Sequence, residues 1–511
     1  MTFIATAIAT PAISATAIAV ALITVASFAL IGLLQASRHS LSLEDYMVSR
    51  NSVGTPMALA TIVASAMGAW ILFSPPEVGA TSGIAGIVGY CIGQATPAAL
   101  FAFMGTRMRF LMPRGHSLNE YVLHRFGQAM YRLTLGIVVF YMFVYLTAEL
   151  TAIAKAVELM AGVPLWLTAL LVMAAVFAYT LVGGLAATIF TDAIQFVVIV
   201  PLLLLSFAVA VLALGGWGSA IAPVTQAAPQ LLTLANGPGI KFGATLVIAV
   251  IAAEMFNQTN WQRIYACKTD QVVRRSFLGS FLVILPMLLL AGLLGIVAMH
   301  FGFNDDRAFF SLIQALNLPG WVSLAVLVLV LALVMSSLDS LLNGIASVFT
   351  TDLLRIFPNR SSSGILRITR LLTVVVGIPA ILIASRGYNV LYLFLLADLV
   401  CAGALFPVLF GLYSRRLTGT MAFWSAVVAI ATGALFFPRP DFSPWNGLPL
   451  AGDLLVSFAA PIVVSTLICL IWIQIKAQRG KTEAFDFGIL RRDIRAYGEG
   501  EGLPLEGLPD R

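Results

Sequence analysis

The chain has 511 residues, of which 60% are hydrophobic and only 10% charged, and a net charge of +6. A soluble domain carries about 25% charged residues, so these numbers exclude a water-soluble enzyme or nucleic-acid binder and point to an all-α polytopic membrane protein. The basic residues are spread over short inter-helical loops, where they fit the charge bias of a cytoplasmic face rather than a nucleic-acid partner. The four cysteines (Cys91, Cys267, Cys401, Cys469) and the four histidines are dispersed. They leave no cluster for a resident metal or haem, no cofactor is expected, and the cysteines read as packing residues.

A helical span needs roughly 20 apolar residues. Hydropathy predicts thirteen: 12–36, 54–82, 84–106, 130–160, 164–182, 186–215, 242–264, 274–300, 319–350, 367–386, 388–412, 418–437 and 451–476. The first 36 residues lack a basic n-region, so they read as a retained span. Residues 217–240, rich in Gly, Pro, Ala and Gln, read as a loop, and 301–318 as holding a short surface helix. With the N-terminus outside, 24 of the 29 Lys and Arg face the cytoplasm, leaving Lys155, Lys241, Arg307, Arg386 and Arg439 outside. The tail after Lys476 then lies in the cytoplasm and is too short for a signalling domain.

Two spans carry breaks. Gly68, the pair Pro75-Pro76 and Gly79 interrupt the second; proline removes a backbone donor and blocks the carbonyl one turn earlier. Carbonyls freed at mid-membrane need a partner, and an alkali cation supplies one, though a simple proline kink gives the same pattern. The seventh span ends in Glu254-Met-Phe-Asn-Gln-Thr-Asn-Trp-Gln-Arg, where Glu254, Gln258 and Trp261 share one helical face. Glu254 and Gln258 are expected inside; Gln262 and Arg263 are expected where the helix leaves the bilayer.

The acids are the costliest residues, because a carboxylate in hydrocarbon is kept only where it faces an interior, an ion or water. Ser336, Asp339, Ser340 and Asn343 form one polar stripe on the ninth span, with Ser337 beside it. Sodium prefers oxygen ligands, and two of these hydroxyls with three carbonyls would replace most of its water. Serines that only permit close packing are the alternative. Asp192, near the start of the sixth span, is within reach of Asp339 or Ser340 if the two spans cross. A second cation site, a hydrogen-bonded hinge and a protonatable pair all remain open there. Asp398 and Glu149 are weaker candidates.

The run Tyr179-Thr180 to Gly183-Gly184 and on to Thr191-Asp192-Ala-Ile-Gln195 resembles a signature of the sodium:solute symporter family. Met335-Ser-Ser-Leu-Asp-Ser-Leu-Leu-Asn343, followed by Phe349 to Asp352, resembles its eighth core helix, and the likeness runs over roughly 40–415. The resemblance implies a five-plus-five inverted-repeat core (a LeuT-like fold) with one helix before it and two after. The chain then divides into 1–53, repeats at 54–216 and 242–412 flanking an extracellular loop at 217–241, two helices in 413–476 and a tail at 477–511. It also implies a sodium site at the hydroxyls of Ser336 and Ser337 and the backbone oxygens of Thr61, Ala64 and Leu333. A second sodium would use Asp192 with two hydroxyls that align with Asp339 and Ser340; the first of these is an acid here.

Met67-Gly68-Ala-Trp70-Ile-Leu-Phe73 resembles the proline branch, although Ala66 replaces that branch's sodium-linked aspartate and Pro75-Pro76-Glu77 replaces its turn. Gln258 aligns with a glutamine of several branches, and transporter modules of sensor kinases look similar around Trp70 to Glu77. The expectation is sodium-coupled symport of a small polar solute, an amino acid first, across a bacterial inner membrane. The pocket would involve Met67, Gly68, Trp70, Phe73, Glu254, Gln258 and Trp261. Solute, sodium and lipid are the expected partners of a monomer or weak dimer. The competing readings are a proton-coupled carrier and a solute sensor with the carrier fold.

Overall fold

The structure, a computed structural model, describes residues 15–37, 42–357, 360–445, 447–479 and 484–494. The start of the expected first span and residues 480–483 and 495–511 of the expected tail lie outside the described residues. Eighteen α-helices run in chain order through the described residues. They are α1 (Ala15–Ala36), α2 (Leu43–Met47), α3 (Thr55–Ala66), α4 (Ser74–Leu111), α5 (Leu118–Phe126) and α6 (Gln128–Ala161). Next come α7 (Leu165–Ala213), α8 (Trp217–Ala227), α9 (Gly237–Glu254), α10 (Gln258–Ala266), α11 (Asp270–His300) and α12 (Ala308–Ala315). The last are α13 (Gly320–Ile356), α14 (Ser362–Ala384), α15 (Val390–Phe410), α16 (Gly419–Phe436), α17 (Leu454–Gln478) and α18 (Gly488–Asp493).

Eleven of these are long and apolar enough to cross a membrane. Two of the eleven are interrupted: α4 bends at Gly83 (φ 67°) and α7 at Gly184 (φ 55°), positions where only glycine enters the left-handed region without strain. At 1.5 Å per residue an unbroken 49-residue α7 would far exceed the ~30 Å hydrocarbon core. Each bend falls between two expected spans.

Burial sorts the helices into an inner and an outer set. α4, α6, α13 and α15 are mostly buried, whereas α1, α14, α16 and α17 present apolar side chains outward. Leu22, Val197, Leu282 and Leu371 are more than half exposed, as lipid contact requires. Side chains cap several helix starts: Ser117 Oγ accepts the Glu120 amide and Asn389 Oδ1 the Tyr392 amide, serving amides with no partner inside the helix.

The segment 217–240 is not a simple loop. It holds α8 and a 3₁₀ turn at Pro229–Leu232. Ala220 and Val224, one turn apart, are buried, an apolar spacing hidden by the Gly- and Pro-rich composition. Likewise α12 does not lie on the surface, because its Phe309, Phe310 and Leu312 are buried.

Candidate functional site

Two helix breaks organise the interior. After α3 the chain runs extended through Met67 and Gly68 and makes a 3₁₀ turn, Ala69–Leu72, before α4 begins. The turn's N-terminal amides would be costly without partners. Glu149 of α6, fully buried, supplies one: its Oε2 accepts the Ala69 N–H at 2.8 Å. A Cβ on Gly68 would lie 1.8 Å from Glu149 Oε1, so the carboxylate fits only against glycine. The second break separates α9 from α10 and is also served by an acid. Glu254 accepts from Asn257 Nδ2 (3.1 Å), Asn260 Nδ2 (3.0 Å) and the Tyr141 hydroxyl (3.2 Å).

Below the first break, three helices converge on one carboxylate. Thr61 of α3 and Ser336 of α13 each donate to Asp192 of α7 at 2.5 Å, one to each oxygen. Arg263 of α10 is 1% exposed and completes the cluster. Its guanidinium donates to Asp192 (2.8 Å), Ser340 Oγ (2.7 Å), Thr61 Oγ1 (3.0 Å) and the Thr259 carbonyl (3.0 Å). The expected bilayer exit at Gln262 and Arg263 is therefore corrected. The break at Met255–Asn257 turns α10 inward, and Gln262 bonds the Met47 carbonyl at 2.6 Å. Asp339 meets neutral donors only: Tyr179 OH (2.9 Å), Thr191 Oγ1 (3.2 Å) and Ser340 Oγ (3.3 Å). Asp192 thus has a guanidinium partner and Asp339 has none, so this fully buried site holds two acids and one cation. Ser337 Oγ bonds the Leu333 carbonyl at 3.0 Å, and Ala64, one turn after Thr61, is buried.

A cavity lies on the other side of the first break. Trp70, Tyr90 and Gln94, Tyr141 and Tyr145 of α6, four residues of α9 ending at Glu254, and Leu391, Phe394, Leu395 and Asp398 of α15 line it. The rings form a continuous wall: Trp70 stacks on Tyr90 (5.6 Å) and meets Phe394 edge-on (5.9 Å), which in turn meets Tyr145 (4.9 Å). Of the expected pocket residues, Trp70 and Glu254 line this cavity. Met67 is buried in the break, Phe73 packs on Phe310, and Trp261 packs edge-on against Phe101 while its Nε1 bonds the Met255 carbonyl. Gln258 binds the His116 carbonyl (2.9 Å) and the Leu118 amide (3.3 Å) instead. The missed lining residues carried a legible signal: Tyr141 and Tyr145 lie one turn apart on α6, and Asp398, already a weaker candidate in the sequence, closes an apolar stripe on α15.

Where Gln258 attaches, a charged lock joins α2, the loop after α4, and α5. His116 lies between Glu44 (2.8 Å) and Glu120 (3.2 Å), and Arg50 binds Glu44 and the carbonyls of Pro113 and Gly115. Burial disfavours the charged ring, but the carboxylates of Glu120 and Glu44 outweigh it and raise His116 to about 9. Burial likewise opposes ionised Glu44 and Glu120, and the charge on His116 outweighs it, holding both below their ordinary value.

A family model described as the sodium:solute symporter family matches residues 46–429. Among curated relatives, a spermidine transporter of Candida albicans is 29% identical over 75% of this chain and 72% of its own. A high-affinity proline transporter of Bacillus subtilis is 25% identical over 79% and 88%, and a sodium/glucose cotransporter of Vibrio parahaemolyticus 28% over 68% and 70%. Among solved structures, a substrate-bound, outward-open Na⁺-coupled sialic acid symporter superposes with a TM-score of 0.76. That match covers 93% of this chain and 100% of the other at 17% identity, and it shows a shared fold. Mhp1, a nucleobase-cation-symport-1 transporter in a closed conformation, gives 0.55 over 84% and 96% at 14% identity.

Proposed function

The chain belongs to the sodium:solute symporter family, and on that premise we propose that it carries sodium inward with a small nitrogen-bearing solute, an amino acid or a related amine. Cation-coupled symport of a small polar solute by alternating access, with no further cofactor, is the family's activity. The observation that carries the reading is the junction of the broken helix with α13, where Thr61 and Ser336 bind opposite oxygens of Asp192. Sodium held by the carbonyls of Thr61, Ala64 and Leu333 and the hydroxyls of Ser336 and Ser337 would tie α3 to α13 and complete the cavity around Trp70. Separation of α3 from α13 on the inward side removes oxygens from the ion and releases it. Each ligand then raises the other's affinity by the same factor.

The proline and spermidine transporters among the relatives support a nitrogen-bearing solute. In the same reading the chain has thirteen spans in two inverted repeats, with the N-terminus outside. The bends at Gly83 and Gly184, each between two expected spans, support that count, as does the basic-residue asymmetry. Asp192 with Asp339 and Ser340 forms a second cation site when Arg263 withdraws. One observation favours a second reading, proton coupling: Asp339 has neutral donors and no cation of its own.

Uptake of labelled proline, glucose and spermidine into proteoliposomes, under an inward sodium gradient or an inward proton gradient, separates these readings. Sodium-driven uptake that survives collapse of the pH gradient is the expected result. Uptake indifferent to sodium but driven by protons would replace the sodium reading, and solute binding without flux would make the protein a sensor.

A further inference from the structure

We propose that the cavity between α4, α6, α9 and α15 holds an organic ammonium group, so that the solute is a net-positive amine without a carboxylate of its own. The inference deepens the symport reading and rests on it for the transport step alone.

Charge carries the argument first. Asp398 and Glu254 both face the cavity, at 5% and 6% exposure, and no Lys, Arg or His lines it. Glu254 is held by three neutral donors, whereas Asp398 makes no hydrogen bond or ion pair among the described residues. A buried carboxylate without a partner is expensive, and a cationic ligand removes that cost. An amino acid would bring a third carboxylate against these two. A broken helix ordinarily offers such a carboxylate its free N-terminal amides, but here Glu149 of the protein already occupies the Ala69 N–H. The seat for a substrate carboxylate is filled from within.

Shape agrees with charge. Trp70, Tyr90, Tyr141, Tyr145 and Phe394 line the cavity together with the two acids, and Trp and Tyr rings attract ammonium groups, more strongly when desolvated. The cavity volume is about 20 Å³. A water needs about 10–15 Å³ by the same measure, so in the conformation described the cavity takes a group of ammonium size, and the rest of any solute requires it to widen.

The test is equilibrium binding to the full-length protein in nanodiscs at saturating sodium, with putrescine, its uncharged isostere butanediol, and proline as probes. Putrescine should bind at least about tenfold tighter than the other two, and Asp398→Asn and Glu254→Gln should each weaken it by about tenfold, or ~1.4 kcal/mol. Glu254→Gln keeps the result readable if Asp398→Asn fails to fold. Equal binding of butanediol or proline, or putrescine binding unchanged in both variants, overturns the inference. Because no gradient is applied, amine binding in a protein that moves nothing would sink the symport reading and leave this one standing. Sodium-driven uptake of an uncharged or zwitterionic solute with no amine binding would do the reverse.

Discussion

Asp192 and Arg263 form the most consequential pair at the scale of single residues. Both are fully enclosed, and removing one partner leaves an uncompensated buried charge, at a cost of about 3–5 kcal/mol. Asp192→Asn should therefore lower the melting temperature in detergent, and adding Arg263→Gln should recover part of the loss; a double variant less stable than the single would contradict the pairing. Gly68→Ala should abolish transport, since its Cβ meets the Glu149 carboxylate. Gly54→Ala, with open space around it, should transport like the wild type in the same uptake assay. Ser336, Asp339 and Asp192 were legible in the sequence because polar groups among apolar residues need a reason. Arg263 was not, because Gln262 and Lys268 beside it give a bilayer exit its ordinary look.

For the elements, the lock around His116 sets a pH window. His116 is raised from 6.5 to about 9 on folding, so its contribution is complete below about pH 6.5 and is lost as pH rises through about 9. Glu44 and Glu120 are lowered, so theirs is present above their ordinary value of 4.5 and is lost in acid. Melting temperature should thus fall between pH 6.5 and 9.5, on the basis of the His116 shift, and His116→Gln should flatten that fall; an identical slope in the variant would show that the lock does not titrate. Hydropathy placed most of the helices, but it read α9 and α10 as one span. At the break between them Glu254 accepts from the side-chain amides of Asn257 and Asn260 close by and from the distant Tyr141 hydroxyl of α6, pairings that an apolar count along the span does not register. The bends at Gly83 and Gly184 fell between expected spans because glycine marks left-handed backbone directly.

At the scale of the whole molecule, the acids at the two breaks, Glu149 of α6 and Glu254 of α9, are buried, while α1, α14, α16 and α17 turn apolar side chains outward. Membrane class followed from composition alone. The cavity did not, because its lining comes from four helices far apart in sequence, and each contributes only a short stripe. The α3–α13 junction is also where sodium would couple solute binding to the helix movement.

Sodium binding at that junction is the claim on which the account turns, and radiolabelled sodium titrated onto the purified wild type and Ser337→Ala tests it most directly. Loss of one hydroxyl ligand should weaken saturable sodium binding by about tenfold or more, equivalent to ~1.4 kcal/mol. Equal sodium affinity in the two proteins would contradict it.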